Sequence, residues 1–104
     1  MKIIKMKVNF EISKLALQDL DDIWEYSAEQ WSKQQANIYY NEIIQVIRDL
    51  CNNSEIGKPV DYIKKGHRTI NVKSHIVVYK INQNIIYIDR ILHQKMDIEN
   101  HLNV

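Results

Sequence analysis

Apolar and polar residues alternate first at Val8, Phe10 and Ile12, with Asn9 and Glu11 between them. A period of two predicts a short, half-buried strand. The period then lengthens. Ser13 is placed to cap a helix in which Leu17, Leu20, Trp24 and Trp31 recur at helical spacing, and Asp19, Asp21, Asp22, Glu25 and Glu29 form its polar face. Acids in its early turns would suit the positive end of the helix dipole. Ser32-Lys33-Gln34-Gln35 fits a capping box, with Trp31 and Ala36 placed as a staple. A second helix follows, with Ala36, Tyr39 or Tyr40, Ile43, Val46 or Ile47, and Leu50 as its apolar stripe, ending at Asn52-Asn53-Ser54. Two amphipathic helices with almost no linker predict an αα-hairpin.

After Gly57-Lys58-Pro59 the period returns to two. The stretches 67–72, 75–81 and 84–92 are rich in Ile, Val and Tyr and are broken at Lys73-Ser74 and Asn82-Gln83-Asn84. This spacing predicts an antiparallel meander. Residues 96–103 suit a last short helix, with Ile98 and Leu102 on one side. The order is β-α-α-β-β-β-(α). The fold class is α+β, with the N-terminal strand and αα-hairpin packed on an antiparallel sheet.

At 104 residues the chain is read as one domain, 1–104, without repeats or low-complexity segments. Net charge is +1, so overall charge does not announce a nucleic-acid binder, but its distribution is uneven. Residues 1–54 hold six Lys/Arg against eight Asp/Glu, and residues 55–104 hold eight against five with all four His. Five basic residues and no acid lie between Lys64 and Lys80, which suits either an anionic partner or a solvated sheet edge. Cys51 is the only cysteine, so no intramolecular disulfide can form, and a reducing cytoplasm is expected. Met1–Lys7 is basic without a sustained apolar run, which argues against a signal peptide. No apolar stretch is long enough to cross a bilayer.

The candidate chemistry lies near the C-terminus. Five of the nine residues from Ile85 to His93 are Ile or Leu, as in a strand buried on both faces, yet Arg90 sits inside it and His93 ends it. A guanidinium is rarely tolerated there unless it is paired or works at a site. Arg68 opens the first strand of the meander, roughly 10 Å from the last by ordinary strand spacing. If both arginines share a face, they converge. Lys64, Lys65 and His67 precede Arg68, and Lys95 follows His93. Arg holds phosphate with a planar fork and His exchanges protons near neutral pH, so this set suits an anion or a phosphodiester. The competing reading of Arg90 is an ion pair with an acid of the helical hairpin. Trp24, Trp31, Tyr39 and Tyr40 read as core. His75 and His101 have no metal-ligand spacing, so no metal and no cofactor are expected.

The ordered set of elements resembles the ParE/RelE superfamily of bacterial toxins. It comprises Ala16-x-x-Asp19-Leu20-x-x-Ile23-x-x-Tyr26, Trp31 with Ala36-x-x-Tyr39, the loop entering Arg68, the Ile76–Tyr79 strand, and Arg90-Ile91-Leu92-His93-x-x-x-Asp97-Ile98. The last segment is similar to the ParE branch. That resemblance implies the toxin of a type II toxin–antitoxin system, inhibiting DNA gyrase and neutralised by a cognate ParD-like antitoxin. The RelE branch implies instead an endoribonuclease acting on mRNA in the ribosome, with Arg68 and Arg90 stabilising charge and His93 as acid or base. A third implied role is an inactive relative that keeps only antitoxin binding. After Tyr87 the chain has no aromatic residue except His93 and His101, and near-neutral charge is modest for entry into ribosomal RNA, so the ParE branch is favoured. Target or anion contacts are expected at Lys64, Lys65, His67, Arg68, Arg90, His93 and Lys95.

Overall fold

A computed structural model describes residues 9–102. The readings at Val8, at Asn103 and along Met1–Lys7 lie outside the described residues. The elements in chain order are β1 (Asn9–Ile12), α1 (Lys14–Gln30), α2 (Lys33–Leu50), β2 (Lys58–Pro59), β3 (His67–Val72), β4 (His75–Asn82), β5 (Ile85–His93) and α3 (Ile98–Leu102).

The two helices start where the polar residues can cap them. Ser13 Oγ accepts the Ala16 N–H and Ser32 Oγ accepts the Gln35 N–H, both at 3.0 Å, so each serine satisfies an orphan donor of its first turn. The first turn of α1 contains no acid; Asp19 lies beyond it, and its role is tertiary rather than dipolar. The buried stripe of α1 is Ala16, Leu20, Ile23 and Ser27. It is rotated from the expected one: Leu17 is exposed, and Trp31 is 69% exposed at the C-cap. Trp24 is half-buried, and its Nε1–H donates to Asn37 Oδ1 at 2.8 Å, tying α1 to α2. Ala36, Ile43, Ile47 and Leu50 form the buried face of α2, as its period predicts.

The sheet order is β1-β5-β4-β3-β2. The meander β3-β4-β5 is antiparallel, but β1 pairs with β5 in parallel, so the sheet is mixed rather than wholly antiparallel. Two antiparallel helices return the chain to the end where β1 began, and three hairpin-linked strands then bring β5 alongside β1 in the same direction. The β4–β5 turn has Gln83 and Asn84 both at positive φ, as a two-residue hairpin loop of mirror-image type needs.

The hairpin packs on one sheet face, burying Leu20, Ile23, Ile43, Ile47, Leu50, Val77, Tyr79, Ile86, Ile88 and Ile91 together. On the other face Val78, Leu92 and Leu102 form a smaller cluster with Ile63, Ile76 and Ile98. The near-continuous apolar run of β5 follows from this double burial. Register fails once. Tyr79 faces Ile88 and Val78 faces Arg90, leaving Asp89 as an extra residue, a β-bulge.

Candidate functional site

By sequence, Arg68 and Arg90 converge only if they share a face of the sheet. The structure instead commits each to a different partner. Arg90 donates from Nε and Nη2 to the two carboxylate oxygens of Asp19, each at 2.9 Å. The hydrogen bonds hold the guanidinium in its charged form beyond its usual range. The same Asp19 accepts the Ile91 N–H at 2.9 Å. The backbone explains why an acid is needed there. Strand β1 ends at Ile12, so β5 loses its neighbour beyond Ile88. Helix α1 takes over that edge: the Ser13 N–H donates to Ile88 O, Ser13 Oγ donates to Asp89 O, and Asp19 receives Ile91. The ion-pair reading of Arg90 is the one its geometry matches.

Arg68 lies beside Tyr79 in the β3–β4 register, and the pair holds the loop before β2. Arg68 Nη1 donates to Gly57 O at 2.8 Å and Glu55 O at 3.1 Å. Tyr79 Oη accepts the Gly57 N–H and donates to Ser54 O, both at 2.9 Å. A Cβ on Gly57 would overlap the Tyr79 ring, so only glycine lets the loop approach this closely.

His67, expected among the anion contacts, is 3% exposed. Its Nε2 donates to Asp89 Oδ2 at 2.5 Å, and its Nδ1 lies 3.1 Å from the Lys65 carbonyl. The bulge that projects Asp89 thereby creates the partner that buries this histidine. Lys64, Lys65 and Lys95 are exposed; Lys64 Nζ donates to Leu102 O at 3.3 Å. Of the seven expected residues, His67, Arg68 and Arg90 have partners within the fold, while Lys64, Lys65 and Lys95 are exposed.

His93 belongs to a different group. It pairs in register with His75, and their rings meet edge to face with centroids 5.2 Å apart. His93 Nδ1 accepts the Lys95 N–H at 3.1 Å. His75 Nδ1 lies 2.6 Å from Tyr39 Oη, whose proton goes to Val72 O at 3.0 Å. Burial, then the neighbouring His93, push the His75 imidazole down to about 4, partly opposed by Asp19. Burial pushes the Tyr39 phenol up. These side chains line a groove of about 440 Å³ between α1 and the β3–β4 turn, together with Ile23, Tyr26, Trp31 and Met96. An adjoining hollow of about 400 Å³ shares Trp31, Tyr39 and Ser74 and extends the groove along α2 to Lys73. Tyr26, Trp31 and Met96 are all substantially exposed, so the groove wall is apolar and open.

The helical spacing predicts Trp31 in the core and gives His75 no role, whereas both line the groove. The apolar residues of α1 have a usable period, yet its phase is settled by contact with the sheet. The pairing of His75 with His93 needs the β4–β5 register, which no local signal carries. Among the described residues no cluster of three or more His, Cys, Asp or Glu is arranged to hold a metal, and no helix is long and apolar enough to cross a membrane.

Comparison with known proteins decides the family. Residues 10–98 match the family described as the ParE toxin of type II toxin–antitoxin systems, parDE. The chain belongs to the ParE toxin family. Toxin ParE1 of Caulobacter vibrioides is 34% identical over 93 residues, covering 89% of this chain and 96% of that protein. Toxin ParE1 of Mycobacterium tuberculosis is 31% identical over 98 residues, covering 93% of this chain and 100% of that protein. Among solved structures, a chain of the chromosomal ParDE system from P. aeruginosa superposes with a TM-score of 0.74 at 20% identity, over 84% of this chain and 96% of that one. A chain of the RelBE2 complex from Mycobacterium tuberculosis gives 0.65 at 15% identity, over 85% and 99%. These two likenesses show a shared fold. The ParE-branch resemblance of the C-terminal segment thus agrees with the family match, which takes in Arg90 to His93 and Ile98.

Proposed function

We propose that this ParE-family toxin inhibits DNA gyrase by protein–protein contact and is held inactive by a cognate ParD-like antitoxin. One observation favours this reading over ribonuclease chemistry. Cleaving a phosphodiester needs cationic groups free to stabilise charge on phosphorus, and both candidate arginines are engaged inside the fold, Arg90 by Asp19 and Arg68 by the 55–57 carbonyls. His93 shares its groove with His75 and Tyr26.

The antitoxin segment lies in the groove walled by Tyr26, Trp31, Tyr39 and Met96. Exposed aromatic and Met side chains around a concavity are the usual anchors for an amphipathic helix. Lys64, Lys65 and Lys95 remain exposed cations for the target or for acidic residues of the antitoxin. The test is a supercoiling assay with purified toxin and gyrase. Loss of supercoiling with accumulation of cleaved DNA complexes, reversed by antitoxin, is the expected result. Unaffected gyrase together with mRNA cut inside ribosomes would replace this reading with the RelE-like one.

A further inference from the structure

Two hydrogen bonds fix where the protons sit on the histidines of the groove. Tyr39 Oη donates to Val72 O at 3.0 Å, because a carbonyl can only accept. The phenol oxygen is then the acceptor for His75 Nδ1 at 2.6 Å, and His75 carries its proton on Nδ1. Burial, then the neighbouring His93, hold the His75 imidazole down at about 4, so at neutral pH its Nε2 keeps a lone pair. His93 is arranged the opposite way. Its Nδ1 accepts the Lys95 N–H at 3.1 Å, which leaves the ring proton on Nε2. Both rings line the groove, with centroids 5.2 Å apart. The groove is therefore offered one acceptor, His75 Nε2, beside one donor, His93 Nε2–H. Neither Nε2 has a hydrogen-bond partner among the described residues, and neither is sealed from solvent.

A partner that covers the groove excludes solvent, and a donor or acceptor left unmet then costs binding. An apolar side chain leaves both nitrogens unmet. A carboxylate accepts but cannot donate, and it would also face Asp22, which accepts from Gln18 Nε2 at 3.0 Å and lies on the same wall. A guanidinium or ammonium donates but cannot accept. A helical segment spends its backbone groups on itself, so the match must come from a side chain. A carboxamide presents an oxygen and a nitrogen as separate atoms, one for each ring.

We infer that the paired imidazoles of His75 and His93 form a subsite that reads a carboxamide, taking one Asn or Gln side chain of the bound segment. This rests on the reading of the groove as the antitoxin site. The carboxamide oxygen accepts from His93 Nε2–H, and its nitrogen donates to His75 Nε2. Tyr26, Trp31 and Met96 supply the apolar surroundings, and the amide sets the register of the segment against them.

The test is a calorimetric titration of the full toxin with its full-length cognate antitoxin, each Asn and Gln of which is replaced in turn by the near-isosteric Leu or Met. One such position is expected to lose about tenfold or more in affinity. His75→Asn keeps a donor for Tyr39, and His93→Asn keeps an acceptor for Lys95, yet each deletes the nitrogen offered to the groove. Each should weaken the unaltered antitoxin by a similar factor, and the carboxamide replacement should then add less than about threefold. Near-UV circular dichroism checks that the variants fold. Long-range proton–nitrogen spectra of the unaltered toxin read the tautomers directly, with protons expected on His75 Nδ1 and His93 Nε2. A His75 proton found on Nε2 would overturn the subsite. So would losses that add in full at every carboxamide position, or a loss confined to acidic or basic residues of the antitoxin. Failure of the underlying reading looks different: a Trp31→Ala toxin that binds at full strength would remove the groove as the antitoxin site, and the subsite with it.

Discussion

Asp19 and Arg90 form a two-pronged ion pair across 71 residues of sequence, Nε to Oδ2 and Nη2 to Oδ1, both at 2.9 Å. The two side chains are 13% and 18% exposed, so the pair is largely shielded from water. Because Asp19 also accepts the Ile91 N–H, one carboxylate joins α1 to β5 just where β1 stops.

Asp19→Ala should therefore destabilise the protein by about 3 kcal/mol, because it strands a half-buried guanidinium and a backbone N–H together. Urea unfolding followed by Trp fluorescence measures this. Arg90→Lys keeps the charge but loses the fork, and a smaller loss of about 1–2 kcal/mol is expected. If Arg90 acts only through the fold, toxicity of its variants will track their folded fraction. A fully folded Arg90→Lys protein without toxicity would show a direct contact with the target.

The Tyr79 clamp makes a second prediction. Tyr79→Phe leaves the Gly57 N–H and Ser54 O without their buried partner, at a cost of about 1–3 kcal/mol. Gly57→Ala must displace the Tyr79 ring and should cost at least as much. Denaturant midpoints for the two variants test the order. A neutral Gly57→Ala would show that the 54–57 loop tolerates withdrawal from the sheet.

His67 and Asp89 predict a third effect. His67→Ala removes the donor to a partly buried carboxylate at the bulge and should cost about 2–3 kcal/mol. An exposed anion-binding histidine would instead change stability by no more than about 0.5 kcal/mol when replaced. Thermal unfolding at neutral pH separates these outcomes.

Stability should also depend on pH through His75. Its folded value is about 4 against an ordinary 6.5, so between these limits the unfolded chain binds the proton more readily. Stability then rises with pH: this contribution is fully present above about pH 6.5 and fades as pH falls toward 4. His75→Gln should flatten that part of the curve in urea titrations run at closely spaced pH values. An unchanged slope would assign the dependence to other groups.

Trp31→Ala separates stability from function. Trp31 is exposed, so its loss should leave the unfolding midpoint nearly unchanged while weakening antitoxin binding by about tenfold or more. A pull-down or calorimetric titration with the antitoxin reads the effect. A variant that binds at full strength would move the antitoxin contact elsewhere.

Local signals in the sequence set the two long helices, the strands other than β2, and the α+β class; β2 (Lys58–Pro59) exists only through its pairing with β3. Serine caps at Ser13 and Ser32, the helical period of α2, the breaks at Lys73-Ser74 and Asn82-Gln83-Asn84, and the β-rich runs between them are local signals, acting over a few residues through backbone hydrogen bonding and side-chain periodicity. The C-terminal Arg90–His93 run also marked the ParE branch. Tertiary structure alone decided the rest. Whether β1 runs with or against β5, which phase of α1 faces the sheet, where Asp89 is squeezed out of register, and which acid meets Arg90 all depend on contacts between distant segments. Trp31 shows the physical reason most plainly: its hydrophobicity is intrinsic, but whether it is core or open wall depends on the sheet extending beneath it. His75 and His93, 18 positions apart, become neighbours only because two strands pair, and that pairing is what turns separate histidines into a groove.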